Sequence, residues 1–197
     1  MTEKEKALKG LLYNPNKNEE FISEIFNCKQ LCFEYNQIPI SSFEERGILI
    51  KKIIEKIKGV PLIFSPFYCD YGRNIEIGEN FFANHNLVLL DGAKITFGDN
   101  VFIGPNCCLT TAGHPLDKDE RNEGLEFAYP ITIGNNVWLG ANVTILPNVT
   151  IGDNTVIGAG SVVTKNIPSN VVAVGNPCRV LRPITHNDKM NIDNSEY

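Results

Sequence analysis

The sequence predicts a mainly β fold: a solenoid of short parallel strands wound into a triangular prism, behind a helical N-terminal segment. Three observations predict it. Apolar residues recur every six positions at Tyr71, Ile77, Ala83 and Leu89, at Phe97 and Ile103, and from Ile133 through Leu139, Ile145, Ile151 and Ile157 to Val163. Three residues after each of these stands only Asn or Gly: Asn74, Asn80, Asn86, Gly92, Asn100, Asn106, Asn136, Asn142, Asn148, Asn154, Gly160 and Asn166. Upstream of the hexads the apolar period is three to four, which is the helical spacing.

Residues 1–60 form the helical segment. Phe21, Ile22, Ile25, Phe26, Cys32 and Tyr35 define one amphipathic helix, and Phe43, Ile50, Ile53, Ile54 and Ile57 a second. The second opens on a capping-box pattern, Ser41-Ser42-Phe43-Glu44-Glu45, and closes at Gly59 before Pro61. Residues 61–185 form the solenoid. Asn and Gly enter left-handed backbone conformations at low cost, so each hexad places one apolar side chain inward and then turns a corner. Three hexads complete a turn, and turns stack strand on strand. The frame slips by two residues between Leu89 and Phe97. It is lost over the long polar loop 110–130, and it ends after Val171. Residues 186–197 read as a frayed polar tail.

The chain has 197 residues, 43% of them apolar and 21% charged, enough for one domain of ordinary size. Its net charge of −5 and the lack of a Lys/Arg stripe argue against nucleic acid as a partner. No secretory signal or membrane-length apolar run is visible, so the expected location is the cytoplasm. The cysteines lack C-x-x-C spacing and the histidines number only three, so reduced core thiols are expected and no metal is required.

The interruptions of the repeat are where chemistry is expected. His114 stands at the root of the long loop, and a neutral imidazole there could accept a proton from an alcohol or amine. Asp117 and Glu126 follow in the same loop. Lys165, Arg179 and Arg182 gather at the end of the solenoid, where they suit an anionic cofactor or simply form a solvated patch.

The segments Asp70-Tyr71-Gly72, Phe81-Phe82-Ala83-Asn84, Thr111-Ala112-Gly113-His114-Pro115, Ile131-Thr132-Ile133-Gly134-Asn135-Asn136-Val137-Trp138 and Val174-Gly175-Asn176-Pro177-Cys178-Arg179 resemble the hexapeptide-repeat acyltransferases, in particular sugar O-acetyltransferases of the maltose and galactoside type. The resemblance spans about residues 3–185. It implies a left-handed parallel β-helix, a homotrimer with active sites between prisms, and acetyl-CoA bound in the groove between two subunits. Position by position, it implies that His114 is the general base, that Asn84 positions the acceptor hydroxyl, and that Glu126 partners the imidazole or the acceptor. It places Asp70, Phe82 and Asp91 at or beside the acceptor pocket, and Asn14 where some members carry an acidic acceptor contact. Trp138, Ala141, Ala159, Thr164, Lys165, Arg179 and Arg182 match positions that line the CoA groove, with the Ala141 N–H as a donor to the thioester oxyanion.

The expected activity is therefore direct acetyl transfer from acetyl-CoA to a hydroxyl of a sugar or glycoside. Activity should rise through about pH 6–7 with an ordinary imidazole as base. The alternatives are a non-sugar or antibiotic acceptor on the same scaffold, a non-catalytic trimeric binding module, and a metal-dependent lyase.

Overall fold

A computed structural model describes residues 1–190, so the last seven residues of the expected tail lie outside it. The helical segment holds three helices: α1 (Glu3–Leu8), α2 (Glu19–Gln37) and α3 (Phe43–Ile53). α1 starts on a capping box in which Thr2 and Glu5 exchange hydrogen bonds. α2 buries Phe21, Cys28, Cys32 and Tyr35, whereas Ile22 and Phe26 of its expected stripe are exposed. The capping box expected at the start of α3 is absent, since Ser42 makes no side-chain cap bond. α3 also ends well before Gly59. Tertiary pairing overrides helix propensity there, because Lys56-Ile57 already pair with Glu76-Ile77 as the first strand of the solenoid.

The strands form three parallel faces. The first stacks Lys56–Ile57, Ile75–Ile77, Ile95–Phe97, Ile131–Ile133 and Thr150–Ile151. The second stacks Leu62–Ile63, Phe82–Ala83, Phe102–Ile103, Trp138–Leu139, Val156–Ile157 and Val171–Val174, and Arg179–Pro183 folds back antiparallel on the last of these. The third stacks Phe67–Cys69, Leu87–Leu90, Cys108–Thr110, Thr144–Ile145 and Val162–Val163. These make about six turns. Inward residues lie over their equivalents in columns, for example Phe97, Ile133 and Ile151, each 2% exposed or less. Burying such side chains contributes roughly 1.5–3 kcal/mol apiece.

Most corners behave as the hexad requires. Asn80, Asn100, Asn136 and Asn154 all have φ between 52 and 57°. Asparagine outperforms glycine at this corner for a reason beyond backbone freedom. The amide of Asn80 donates to Asn100, Asn100 to Asn136, Asn136 to Asn154 and Asn154 to Asn170, a ladder running up one edge of the prism at 2.8–3.0 Å.

The corner between the third and first faces departs from the pattern in the lower turns and at the last one, with no left-handed residue at Asn74, Gly92 or Asn166, whereas Asn148 keeps it with φ 64°. Stacked residues are 20 positions apart in the lower turns, 18 above the long loop and 16 at the last turn, and the extra length of the lower turns falls at this corner. It is visible in Asp70–Asn74, Asp91–Lys94 and finally the long loop, across which the spacing is 36. Tyr71 is therefore no core residue. Cys69 takes the inward position opposite Leu89, and Tyr71 is only half-buried at the widened corner.

The helices cap this end of the prism. Arg46 of α3, 5% exposed, lies 4.2 Å over the Tyr35 ring and donates to the Ile63 carbonyl at 2.8 Å, while the Tyr35 hydroxyl donates to the same oxygen at 2.7 Å. Among the described residues no helix is long and apolar enough to cross a membrane.

Candidate active site

The widened corner and the long loop enclose a cavity of about 390 Å³, lined by Tyr13, Phe21, Ile22, Asp70, Tyr71, Gly92, Gly113, His114 and Glu126 among others. The loop is ordered by its own pairing. Ala112-Gly113 pair antiparallel with Phe127-Ala128, and the short helix α4 (Lys118–Asn122), N-capped by Asp117, lies between them. Gly113 permits that pairing, since a Cβ at this position would collide with the Phe127 ring. The loop returns against the N-terminal segment, where the backbones of Tyr13 and Glu126 exchange hydrogen bonds of 3.0 and 2.8 Å.

This architecture fixes the imidazole. His114 Nδ1 lies 3.0 Å from the Leu125 carbonyl oxygen, which can only accept. Nδ1 therefore carries the proton, and Nε2 presents a lone pair. The orienting partner is thus a backbone carbonyl and not Glu126. The Glu126 carboxylate is half-buried at the same cavity and accepts from the Tyr13 hydroxyl at 3.4 Å. Burial raises its pKa, and the positive charge available to His114 opposes that rise. Tyr13, Phe21 and Tyr71 form an aromatic wall with successive centroids 5.9 Å apart. None of the three was a candidate site residue from sequence, although Tyr13 and Tyr71 flank the recognised positions Asn14 and Asp70.

Two expected acceptor contacts are placed elsewhere. Asp91 is fully buried beneath the cavity, where it cannot touch a ligand; its Oδ1 accepts the backbone N–H groups of Asp70 and Tyr71, both at 2.9 Å. Burial lifts its pKa to about 6, and among the described residues its Oδ2 has no hydrogen-bond partner. Asn14 is 3% exposed, and its amide donates to the Glu123 carbonyl at 2.6 Å, so it anchors the loop. Asp70 does line the cavity, paired with Lys29 at 2.8 Å.

Asn84 and Phe82 are not beside His114. They lie at the opposite edge of the third face, in a groove of about 630 Å³ with Phe102, Gly104, Pro105, Trp138, Gly140 and Ala141. Phe82, Phe102 and Trp138 stack in register along the second face, with Trp138 55% exposed. Ala159 lies one turn above Ala141 on the same edge. The groove is thus an exposed indole over a floor of glycine and alanine. Thr164 and Lys165 are exposed on the other edge, the one that carries His114. Arg179 donates to its neighbouring carbonyl of Cys178 at 2.7 Å, and Arg182 is held bidentate by Asp188 at 2.6 and 2.9 Å, so Arg182 is engaged within the chain. The candidate residues therefore fall on two edges of one prism.

Comparison with known proteins agrees with this geometry. Residues 6–59 match the maltose acetyltransferase hexapeptide capping motif, and residues 130–165 the bacterial transferase hexapeptide (six repeats). The chain is 51% identical over 161 residues to the galactoside O-acetyltransferase of Escherichia coli, covering 82% of this chain and 79% of that one. It superposes on a maltose O-acetyltransferase from Clostridium difficile with a TM-score of 0.90 at 48% identity, covering 94% and 98% of the two chains. A galactoside acetyltransferase in complex with coenzyme A superposes with a TM-score of 0.93 at 45% identity, covering 98% and 96%. A parallel prism with a loop-borne imidazole at one edge and a small-residue groove at the other defines a hexapeptide-repeat transferase. The chain belongs to the hexapeptide-repeat acetyltransferases, as an acetyl-CoA-dependent O-acetyltransferase.

Proposed function

We propose that the protein acetylates a hydroxyl of a small sugar or glycoside, with His114 as general base, at sites completed between copies of the chain. The hydrogen bond from His114 Nδ1 to the Leu125 carbonyl carries the reading, because it leaves Nε2 as the acceptor in a cavity of carboxylates and aromatic rings. Carboxylates and aromatic faces are what a polyhydroxylated ring with apolar C–H faces requires. The maltose and galactoside names of the relatives point the same way.

Acetyl-CoA supplies an activated thioester. His114 Nε2 takes the acceptor hydroxyl proton as the new C–O bond forms, and the resulting imidazolium returns it to the departing thiolate. Asn84 holds the acceptor hydroxyl, and the Ala141 N–H donates to the carbonyl oxygen as its negative charge develops. Trp138, Ala141 and Ala159 line the cofactor groove, with Thr164, Lys165 and Arg179 contributing at its rim.

A single prism keeps Asn84 and Ala141 an edge away from His114, so the reading requires a second copy. Three prisms in a closed ring bring the His114 edge of each against the Asn84 edge of the next and cover the exposed aromatic stripe. The free thiols of all six cysteines suit a cytoplasmic enzyme. The test is thiol release from acetyl-CoA with a panel of mono- and disaccharides, together with light scattering for the mass of the particle. Sugar-dependent release from a trimer supports the reading; release with no sugar in the panel overturns the acceptor class.

A further inference from the structure

The sulfurs of Cys28, Cys32 and Cys69 meet at one point. Cys28 Sγ lies 3.4 Å from Cys69 Sγ, and Cys32 Sγ lies 3.7 Å from it. All three fall within 4.8 Å of one another, the single such group of ligating side chains among the described residues. Each residue is 3% exposed or less. Cys28 and Cys32 stand one turn apart on the inner face of α2, and Cys69 occupies the first inward position of a column otherwise filled by Leu89, Leu109, Ile145 and Val163. The rest of that column is aliphatic, and its one thiol lies where α2 covers the first turn. An ion 2.3 Å from each of three sulfurs would hold them about 3.8–4.0 Å apart, close to the spacing already present.

We propose that Cys28, Cys32 and Cys69 form a three-thiolate site for one soft d¹⁰ cation, Cu⁺ or Zn²⁺, that clamps α2 onto the first turn of the prism. Soft thiolate donors select such ions, and a dry three-sulfur site suits the low coordination number of Cu⁺ better than the four ligands of structural Zn²⁺. Each thiol that ligates gives its proton to the solvent. Lys29, next in the chain to Cys28, pairs with Asp70, next to Cys69, at 2.8 Å, a second tie between α2 and the first turn beside the three sulfurs. Asp70 and the Phe21 end of α2 line the His114 cavity, so the clamp also braces the acceptor wall. Cys107, Cys108 and Cys178 serve no part of it.

The test uses the whole reduced, metal-stripped protein, titrated anaerobically with Cd²⁺ as a thiolate probe, then with Cu⁺ and Zn²⁺ in competition. The expected result is a sulfur-to-cadmium absorption band that saturates at one equivalent and is displaced by Cu⁺ or Zn²⁺, with a rise in Tm. Cys32→Ser and Cys28→Ser should weaken binding by about tenfold or more, and Cys108→Ser should leave it unchanged. Circular dichroism identifies variants that remain folded. If Cys69→Ser unfolds, the two helix variants still decide the matter. No saturable band, a band indifferent to Cys32→Ser, or a Cys28–Cys69 disulfide in the alkylated protein by mass would overturn the proposal.

Discussion

The Leu125 carbonyl oxygen sits 3.0 Å from His114 Nδ1, and this bond sets which ring nitrogen can act as a base. The loop itself supplies it, since Leu125 is carried back to His114 by the pairing of Ala112-Gly113 with Phe127-Ala128. His114→Ala should lower kcat by about 10²–10⁴-fold with little change in KM for acetyl-CoA. His114→Gln should not rescue it, because an amide cannot carry the proton. A kcat within a few-fold of wild type in either variant would refute the assignment.

The placement of His114 and Asn84 on opposite edges of the third face makes a sharper prediction. If each site takes His114 from one copy and Asn84 from the next, then His114→Ala and Asn84→Ala subunits, each inactive alone, complement one another. In an equal, random mixture about one site in four receives both intact residues, so about a quarter of wild-type activity should return on co-refolding. Sites contained within single chains would recover nothing, and the assay separates the two arrangements without a structure of the assembly.

The repeat was legible because its two requirements, an inward apolar residue and a residue tolerant of positive φ, are local. Tyr71 shows where this fails. The hexad frame assigns it inward, but the extra residues at the corner below the site move that role to Cys69, and no local signal distinguishes the two frames. His114, Asp70 and Glu126 were legible from their motifs and share the cavity. Asn14 and Asp91 carry the right chemistry but are spent on backbone groups, which depends on tertiary burial. The convergence of Cys28, Cys32 and Cys69 crosses from α2 to the prism, a contact that spacing cannot encode.

The asparagine ladder separates backbone strain from side-chain bonding. Asn136 has φ 55°, receives a hydrogen bond from Asn100 at 3.0 Å and donates one to Asn154 at 2.8 Å. Asn136→Gly keeps the backbone conformation and loses the ladder, at a cost of about 0.5–1.5 kcal/mol. Asn136→Ala loses both, so it should be less stable than the glycine variant by about 1 kcal/mol, the reverse of the order in a helix. Denaturant midpoints at fixed protein concentration measure this; equal values would show that the corner tolerates alanine.

Asp91 predicts a pH dependence of stability. Its folded pKa of about 6 lies above the ordinary carboxylate value of about 3.9. Between these values the native protein holds a proton that the unfolded chain has released, so stability from this group grows as pH falls through 6 and is lost as pH rises through it. The ionised group, fully buried and with Oδ2 unbonded among the described residues, costs the fold about 3 kcal/mol above pH 7. Asp91→Asn keeps an Oδ1 acceptor for the Asp70 and Tyr71 N–H groups but cannot ionise. The stability of wild type relative to Asp91→Asn should therefore improve by about 1–1.5 kcal/mol from pH 7.5 to pH 5. Urea unfolding of both proteins at the two pH values measures that difference, and a gap independent of pH would mean that Asp91 is ionised in the fold at pH 5.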